Sequence, residues 1–132
     1  MNNKLGTIVE VKEFEKSTWH FYSSKLVKIV TKDNVNIELE DAIKEHQYIL
    51  TKSDFLPLKF YVILGTNTTT TKEVRDFANA PERQATVTAQ AYIAESLPHK
   101  ILVNFMKNFY KTPKKFKVFS SEDAAIKWLL EQ

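Results

Sequence analysis

Five threonines stand close together in the middle of the chain, at Thr66, Thr68, Thr69, Thr70 and Thr71. A hydroxyl group at the N-terminus of a helix is a good phosphoacceptor or anion site, because free backbone N–H groups and the helix dipole stabilise the added charge. Thr70 and Thr71 are the best candidates, and Arg75, one turn further on, is placed to pair with a phosphate. The alternative is structural: a polar loop with one capping threonine, in which Arg75 pairs with Asp41 or another surface acid.

Other residues that could do chemistry are scattered. No two of the three histidines, His20, His46 and His99, have a metal-ligand spacing such as His-x-x-x-His. Ser96 and His99 share one helical turn, but a nucleophile also requires an orienting group and an oxyanion hole. With no cysteine and only two glycines, thiolate chemistry and glycine-rich phosphate loops are excluded. We therefore expect no enzymatic activity, no metal and no cofactor.

A lysine-rich region lies near the C-terminus, since six lysines and no acidic residue occur between Glu95 and Glu122. Aromatic residues interleave with these lysines, and such a pattern can hold single-stranded nucleic acid. A solvated lysine face over a buried aromatic stripe is the commoner arrangement, and only two arginines are present. Nucleic-acid binding is therefore not expected. The predicted basic surface consists of Lys107, Lys111, Lys114, Lys115 and Lys117.

The elements that must position these residues follow from apolar patterning. The threonines come after the apolar run Leu58–Leu64, which is typical of a strand buried on both faces. A β-hairpin is predicted before it, with its turn at Ser23 and Ser24. The full order predicted is β-β-α-β-α-β-α-β-α, and strands joined through helices imply parallel pairing with right-handed crossovers. The fold class is thus α/β, with a mixed, largely parallel sheet of about five strands and about four helices.

Helix starts and buried stripes add detail to this order. Capping boxes are predicted at Thr70 with Glu73 and at Ser120 with Asp123, and Ser96 is predicted as an N-cap. The run from Ala85 to Ala94 alternates along a strand whose small alanines indicate close cover by a helix. The clearest helix runs from residue 96 to residue 110, with its buried stripe at Leu97, Ile101, Leu102, Phe105 and Phe109.

The 132 residues are expected to form one domain, with residues 1–16 as an extra edge strand or arm. The hydrophobic content of 43% suits an ordinary globular protein, and the net charge of +3 is small. No apolar stretch reaches the roughly 20 residues of a membrane span, and the N-terminus lacks the apolar core of a signal peptide. These features and the missing cysteines indicate a cytoplasmic protein.

Three stretches resemble the SpoIIAA-like fold of STAS domains and anti-sigma factor antagonists, and most of all a group of small uncharacterised bacterial proteins with that fold. They are Asp33–Ala42 entering the first helix, Thr71–Ala78 after the central strand, and Phe119–Leu129 at the end. The resemblance covers about residues 17–132. In the antagonists, a serine or threonine of an Asp-Ser-Ser-Gly-like loop is phosphorylated by a partner kinase. The matching loop here, residues 65–71, has the hydroxyl groups without that motif.

The sequence is therefore compatible with two functions. The resemblance implies a non-enzymatic regulatory or protein-interaction module, with a protein partner or a second copy of the chain bound near residues 66–75. The alternative is a protein that binds a small or lipid-like molecule, or an enzyme, with its site at the carboxyl ends of the strands. A deep cavity with several convergent polar groups would favour the alternative, whereas a filled core would favour the interaction module.

Overall fold

A computed structural model describes residues 5–94, 96–101 and 116–132 of the chain. Its main sheet has six strands in the order β1-β2-β3-β5-β7-β8, and a second sheet pairs the short strands β4 and β6. The strands are β1 (Ile8–Glu13), β2 (Ser17–Tyr22), β3 (Leu26–Thr31), β4 (Asn36–Ile37), β5 (Leu58–Ile63), β6 (Thr69–Thr70), β7 (Val87–Ile93) and β8 (Phe116–Phe119).

Helices connect the parallel strands of this sheet. The helices are α1 (Leu39–Leu50), α2 (Lys72–Ala78), α3 (Pro81–Gln84), α4 (helical from residue 97 and described to residue 101) and α5 (Glu122–Leu130), with a 3-10 turn at Ser53–Phe55. Strands β1, β2 and β3 are antiparallel neighbours, while β3, β5, β7 and β8 run parallel. The mixed, largely parallel sheet and the early hairpin are therefore confirmed, and β1 forms one edge of the sheet.

Both faces of the sheet are covered by a hydrophobic cluster, and the side chains of the central strand β5 alternate between the two. Phe60 and Val62 belong to a core cluster that also contains Trp19 of β2 and Ile49 of α1. Tyr61 points the other way, into a second cluster with α5. We call the first side the α1 face and the second the α5 face.

The alanines of β7 let α5 approach the sheet closely. Ala89 and Ala91 are fully buried and share a cluster with Ala125 and Leu129 of α5. A larger side chain at either β7 position would meet this helix, since protein interiors have few voids. The predicted close helical cover of this strand is confirmed.

The predicted strict alternation of side chains between the two faces of β7 is wrong at one point. Leu58 of β5 pairs with Val87, but the next residue, Lys59, pairs with Ala89. The irregularity leaves Thr88 as an extra residue, so Val87 lies in the core of the α1 face while Ala89 lies on the α5 face. It also brings Gln90, rather than a second alanine, to the α1 face.

Two of the predicted helix caps were displaced by one residue. Helix α2 is capped by Thr71, whose hydroxyl accepts from the N–H of Val74, and α5 is capped by Ser121, which accepts from Ala124. Thr70 lies instead in β6, because this strand pairs with β4 and holds its backbone extended. The N-cap at Ser96 is confirmed by its 3.3 Å hydrogen bond from the N–H of His99.

The expected buried stripe of α4 was wrong in its described part. The side chains of Leu97 and Ile101 are 70% and 62% exposed. The first turn is oriented by His99 instead, whose Nε2 lies 2.9 Å from the carbonyl oxygen of Gly65. The remainder of that stripe, at Leu102, Phe105 and Phe109, lies outside the described residues.

Candidate functional site

The threonine-rich loop after β5 is fastened to the loop after β3. The Thr66 N–H donates to Oδ1 of Asp33 over 2.7 Å, and the Asn34 N–H donates to the Thr66 carbonyl over the same distance. A Cβ on Gly65 would lie 2.4 Å from the Lys32 carbonyl oxygen, so only glycine permits this approach of the two loops. The loop is therefore a structural junction between two parallel strands.

Three of the five predicted threonines use their hydroxyl groups within this junction. Thr68 is buried and donates to the Lys32 carbonyl, while Thr69 donates to Oδ1 of Asn36. The hydroxyl of Thr71 caps α2. These contacts account for the three residues structurally.

Thr70 and Arg75 are brought together, as the sequence suggested. Nη1 of Arg75 donates to the carbonyl and to the hydroxyl oxygen of Thr70, over 3.1 and 3.2 Å. Of the predicted phosphoacceptors, Thr66 and Thr69 are the exposed ones. Phosphorylation of any of these threonines stays a prediction.

The predicted basic surface falls largely outside the described residues. Lys107, Lys111, Lys114 and Lys115 all lie there. Lys117 is described: it is exposed on β8, and its Nζ lies 5.5 Å from the ring centroid of Phe119.

The histidines of the described chain remain apart. His20 lies on β2, His46 is buried on α1 against the ring of Phe77, and His99 contacts Gly65. Within the described segments, no group of three or more histidine and acidic side chains is arranged to hold a metal ion.

A cavity of about 130 Å³ lies on the α1 face, between the sheet and helices α1, α2 and α3. Its volume is close to that of an engineered cavity of about 150 Å³ that binds benzene in another protein. The apolar part of its wall comes from Trp19, Ile29, Ile37, Val62, Leu64, Val74 and Phe77. The core is thus not filled at the place where three helices meet the sheet.

One side of the cavity carries a chain of hydrogen bonds that ends in a carboxyl group. Nε1 of Trp19 donates to Oγ of Ser17 over 3.0 Å, and Ser17 donates to Oε2 of Glu45 over 3.0 Å. Burial raises the pKa of Glu45 to about 7, although the Ser17 hydrogen bond and the positive charge of Arg83 oppose this rise. Glu45 is therefore poised to gain or lose a proton near neutral pH.

Two further polar groups, the Gln90 amide and the Tyr92 hydroxyl, line the cavity. Gln90 is only 8% exposed, and no described residue forms a hydrogen bond with its amide. The same holds for the hydroxyl of Tyr92, two residues along β7. Burial raises the pKa of Tyr92 to about 12, so this hydroxyl is protonated at neutral pH and can donate. Both groups are therefore available to hydrogen-bond with a molecule in the cavity.

Arg83 brings a positive charge to the same cavity. Its Nη1 donates to Oγ1 of Thr86 over 2.7 Å, and its guanidinium lies 4.8 Å from the ring centroid of Phe60. The charge lowers the pKa values of both Glu45 and Tyr92 against the larger effect of burial. Arg83 therefore lies close enough to influence both groups.

Sequence reasoning found only part of this cavity: the predicted Thr68 and Thr70 line it, but most of its other polar residues come from four separate elements. Ser17, Glu45, Arg83 and Gln90 belong to β2, α1, α3 and β7, and no two form a short motif. The one available signal was Gln90, the single amide side chain in β7, and the irregularity in β7 decides which face it occupies.

Comparison with known proteins identifies the family and the fold. A family described as a domain of unknown function, DUF7793, matches residues 8–132, and the chain belongs to it. A crystal structure of an uncharacterised DUF3478-family protein with a SpoIIAA-like fold, from Shewanella loihica PV-4, is similar with a TM-score of 0.55 and 14% sequence identity. The similarity covers 98% of each chain, and the SpoIIAA-like fold expected from the sequence is thereby confirmed. No match was found among curated proteins. In the described part of the chain, no helix is long and apolar enough to cross a membrane.

Proposed function

We propose that this member of the DUF7793 family binds a small organic molecule in the cavity between its sheet and helices α1 to α3. The observation that carries the proposal is Gln90, a polar side chain that is only 8% exposed, lines the cavity and makes no hydrogen bond to a described residue. A ligand that hydrogen-bonds with the Gln90 amide gains about 0.5–1.5 kcal/mol for each such bond.

The volume of the cavity suits a ring compound or a similarly compact molecule. It measures about 130 Å³ and is partly open to solvent. The aromatic and branched walls provide apolar contact, while Glu45, Gln90 and Tyr92 provide a few convergent polar groups. This combination is typical of small-molecule sites.

A ligand-detected NMR screen with neutral and anionic compounds of up to about ten heavy atoms tests the proposal. Ala42 lines the cavity from α1, and Ala42→Leu should fill part of the space and abolish binding of the hits. Ala124→Leu is the matched control, since Ala124 is exposed on α5. No hit for the wild type, or equal binding by wild type and Ala42→Leu, would refute the proposal.

The regulatory interaction module remains a second candidate, supported by the SpoIIAA-like fold and by the exposed positions of Thr66 and Thr69. It predicts that protein recovered from its native lysate carries a specific partner or one added phosphate. Intact-mass analysis of wild type and a Thr66→Ala, Thr69→Ala double variant is the measurement. An unmodified mass and no stoichiometric partner would count against this function.

A further inference from the structure

We infer that the ligand of the cavity is a neutral, planar ring that carries a carboxamide or lactam group. The inference rests on the proposed function and narrows it to a chemical class. It follows from the shape of the cavity wall, from the hydrogen-bonding capacity of Gln90 and Tyr92, and from the two opposite charges nearby.

The apolar wall favours a ring. Trp19 and Phe77 contribute aromatic surface, and Ile29, Val62 and Leu64 contribute branched side chains. A six-membered ring with one small substituent matches a volume of about 130 Å³, given that a cavity of about 150 Å³ accepts benzene. The ring would displace water from the apolar walls, with which water cannot form hydrogen bonds.

The polar side of the cavity favours an amide. The Gln90 side chain offers one acceptor and two donors in a plane, and a second amide group is its natural complement because it presents a donor beside an acceptor. The Tyr92 hydroxyl lies on the same strand face, two residues away, and adds a donor for the ligand oxygen. A ligand with only an acceptor would leave the Gln90 oxygen without a donor.

The charges favour a neutral molecule. Among the described residues that line the cavity, Glu45 and Arg83 are the acidic and the basic one. A charged ligand of either sign would be repelled by one of these groups and attracted by the other, so little net attraction is left to offset the cost of desolvating its charge. A neutral amide avoids both repulsions and both desolvation costs.

Isothermal titration with benzamide, benzoate and toluene tests this class at pH 7.5. These probes share a ring and differ in their substituent, so their order of affinity reports which substituent the site prefers. We expect benzamide to bind at least tenfold more tightly than either benzoate or toluene. Tightest binding of benzoate or toluene would overturn the inference but keep the proposed function, whereas binding of none would refute both.

Two glutamine variants test whether Gln90 is responsible for the preference for an amide. Gln90→Met keeps the length of the side chain and removes its amide, so it should lower benzamide affinity about tenfold and leave toluene affinity unchanged. Gln47→Met is the matched control, because Gln47 is exposed on α1. If Gln90→Met retained the ratio of benzamide to toluene affinity, Gln90 would not recognise the amide and the inference would fail.

Discussion

The carboxyl group of Glu45 links the stability of the protein to pH. Its pKa is about 7 in the folded protein against an ordinary value of 4.5, chiefly because it is buried. The folded state therefore holds the proton more tightly than the unfolded chain does. The contribution of Glu45 to the free energy of unfolding is largest below about pH 4.5. It falls as the pH rises towards 7, by on the order of 3 kcal/mol in all.

Glu45→Gln should remove this pH dependence, because glutamine cannot ionise and its oxygen can still accept from Ser17. Urea unfolding at pH 5, 6, 7 and 8 should show the free energy of unfolding falling with pH in the wild type and much less in the variant. Glu40→Gln, an exposed change on the same helix, should keep the wild-type slope. Equal slopes in wild type and Glu45→Gln would show that Glu45 titrates normally.

At the level of elements, the junction between the β3 and β5 loops gives the threonines structural roles that can be measured. Thr71→Ala removes the N-cap of α2 and should lower the free energy of unfolding by about 1 kcal/mol. Thr66→Ala should change it by less than about 0.5 kcal/mol, since the hydrogen bonds of Thr66 in the junction are made by its backbone. Chemical denaturation of both variants distinguishes them, and an equal loss would contradict the assigned cap.

The elements themselves were largely predictable from local patterning. Local sequence patterns predict the apolar strand β5, the hairpin of β2 and β3, and the small residues of β7. The pairing of β4 with β6 was not predictable, because two-residue strands leave no pattern. The irregularity in β7 was also hidden, since it depends on the register with β5. That single shift decides that Gln90 faces the cavity.

For the molecule as a whole, the candidate site is formed by the packing of helices on the sheet, and no short sequence motif encodes this packing. The sequence directed attention to the carboxyl ends of the strands, and the structure does place the threonines and Arg75 together there. The cavity begins at this edge, where Leu64, Thr68 and Thr70 line it, and extends over the α1 face between the sheet and helices α1, α2 and α3. Its polar residues are distant in sequence, so only the packed fold assembles them.

The central claim, that this cavity receives a small molecule, is tested most directly by mapping amide shifts in ¹H–¹⁵N NMR spectra during titration with benzamide and with toluene. Our account predicts saturable shifts around Glu45, Arg83 and the Gln90–Tyr92 segment, and their loss in Ala42→Leu. Absence of saturable shifts at these residues with both probes, or identical shifts in Ala42→Leu, would contradict the account.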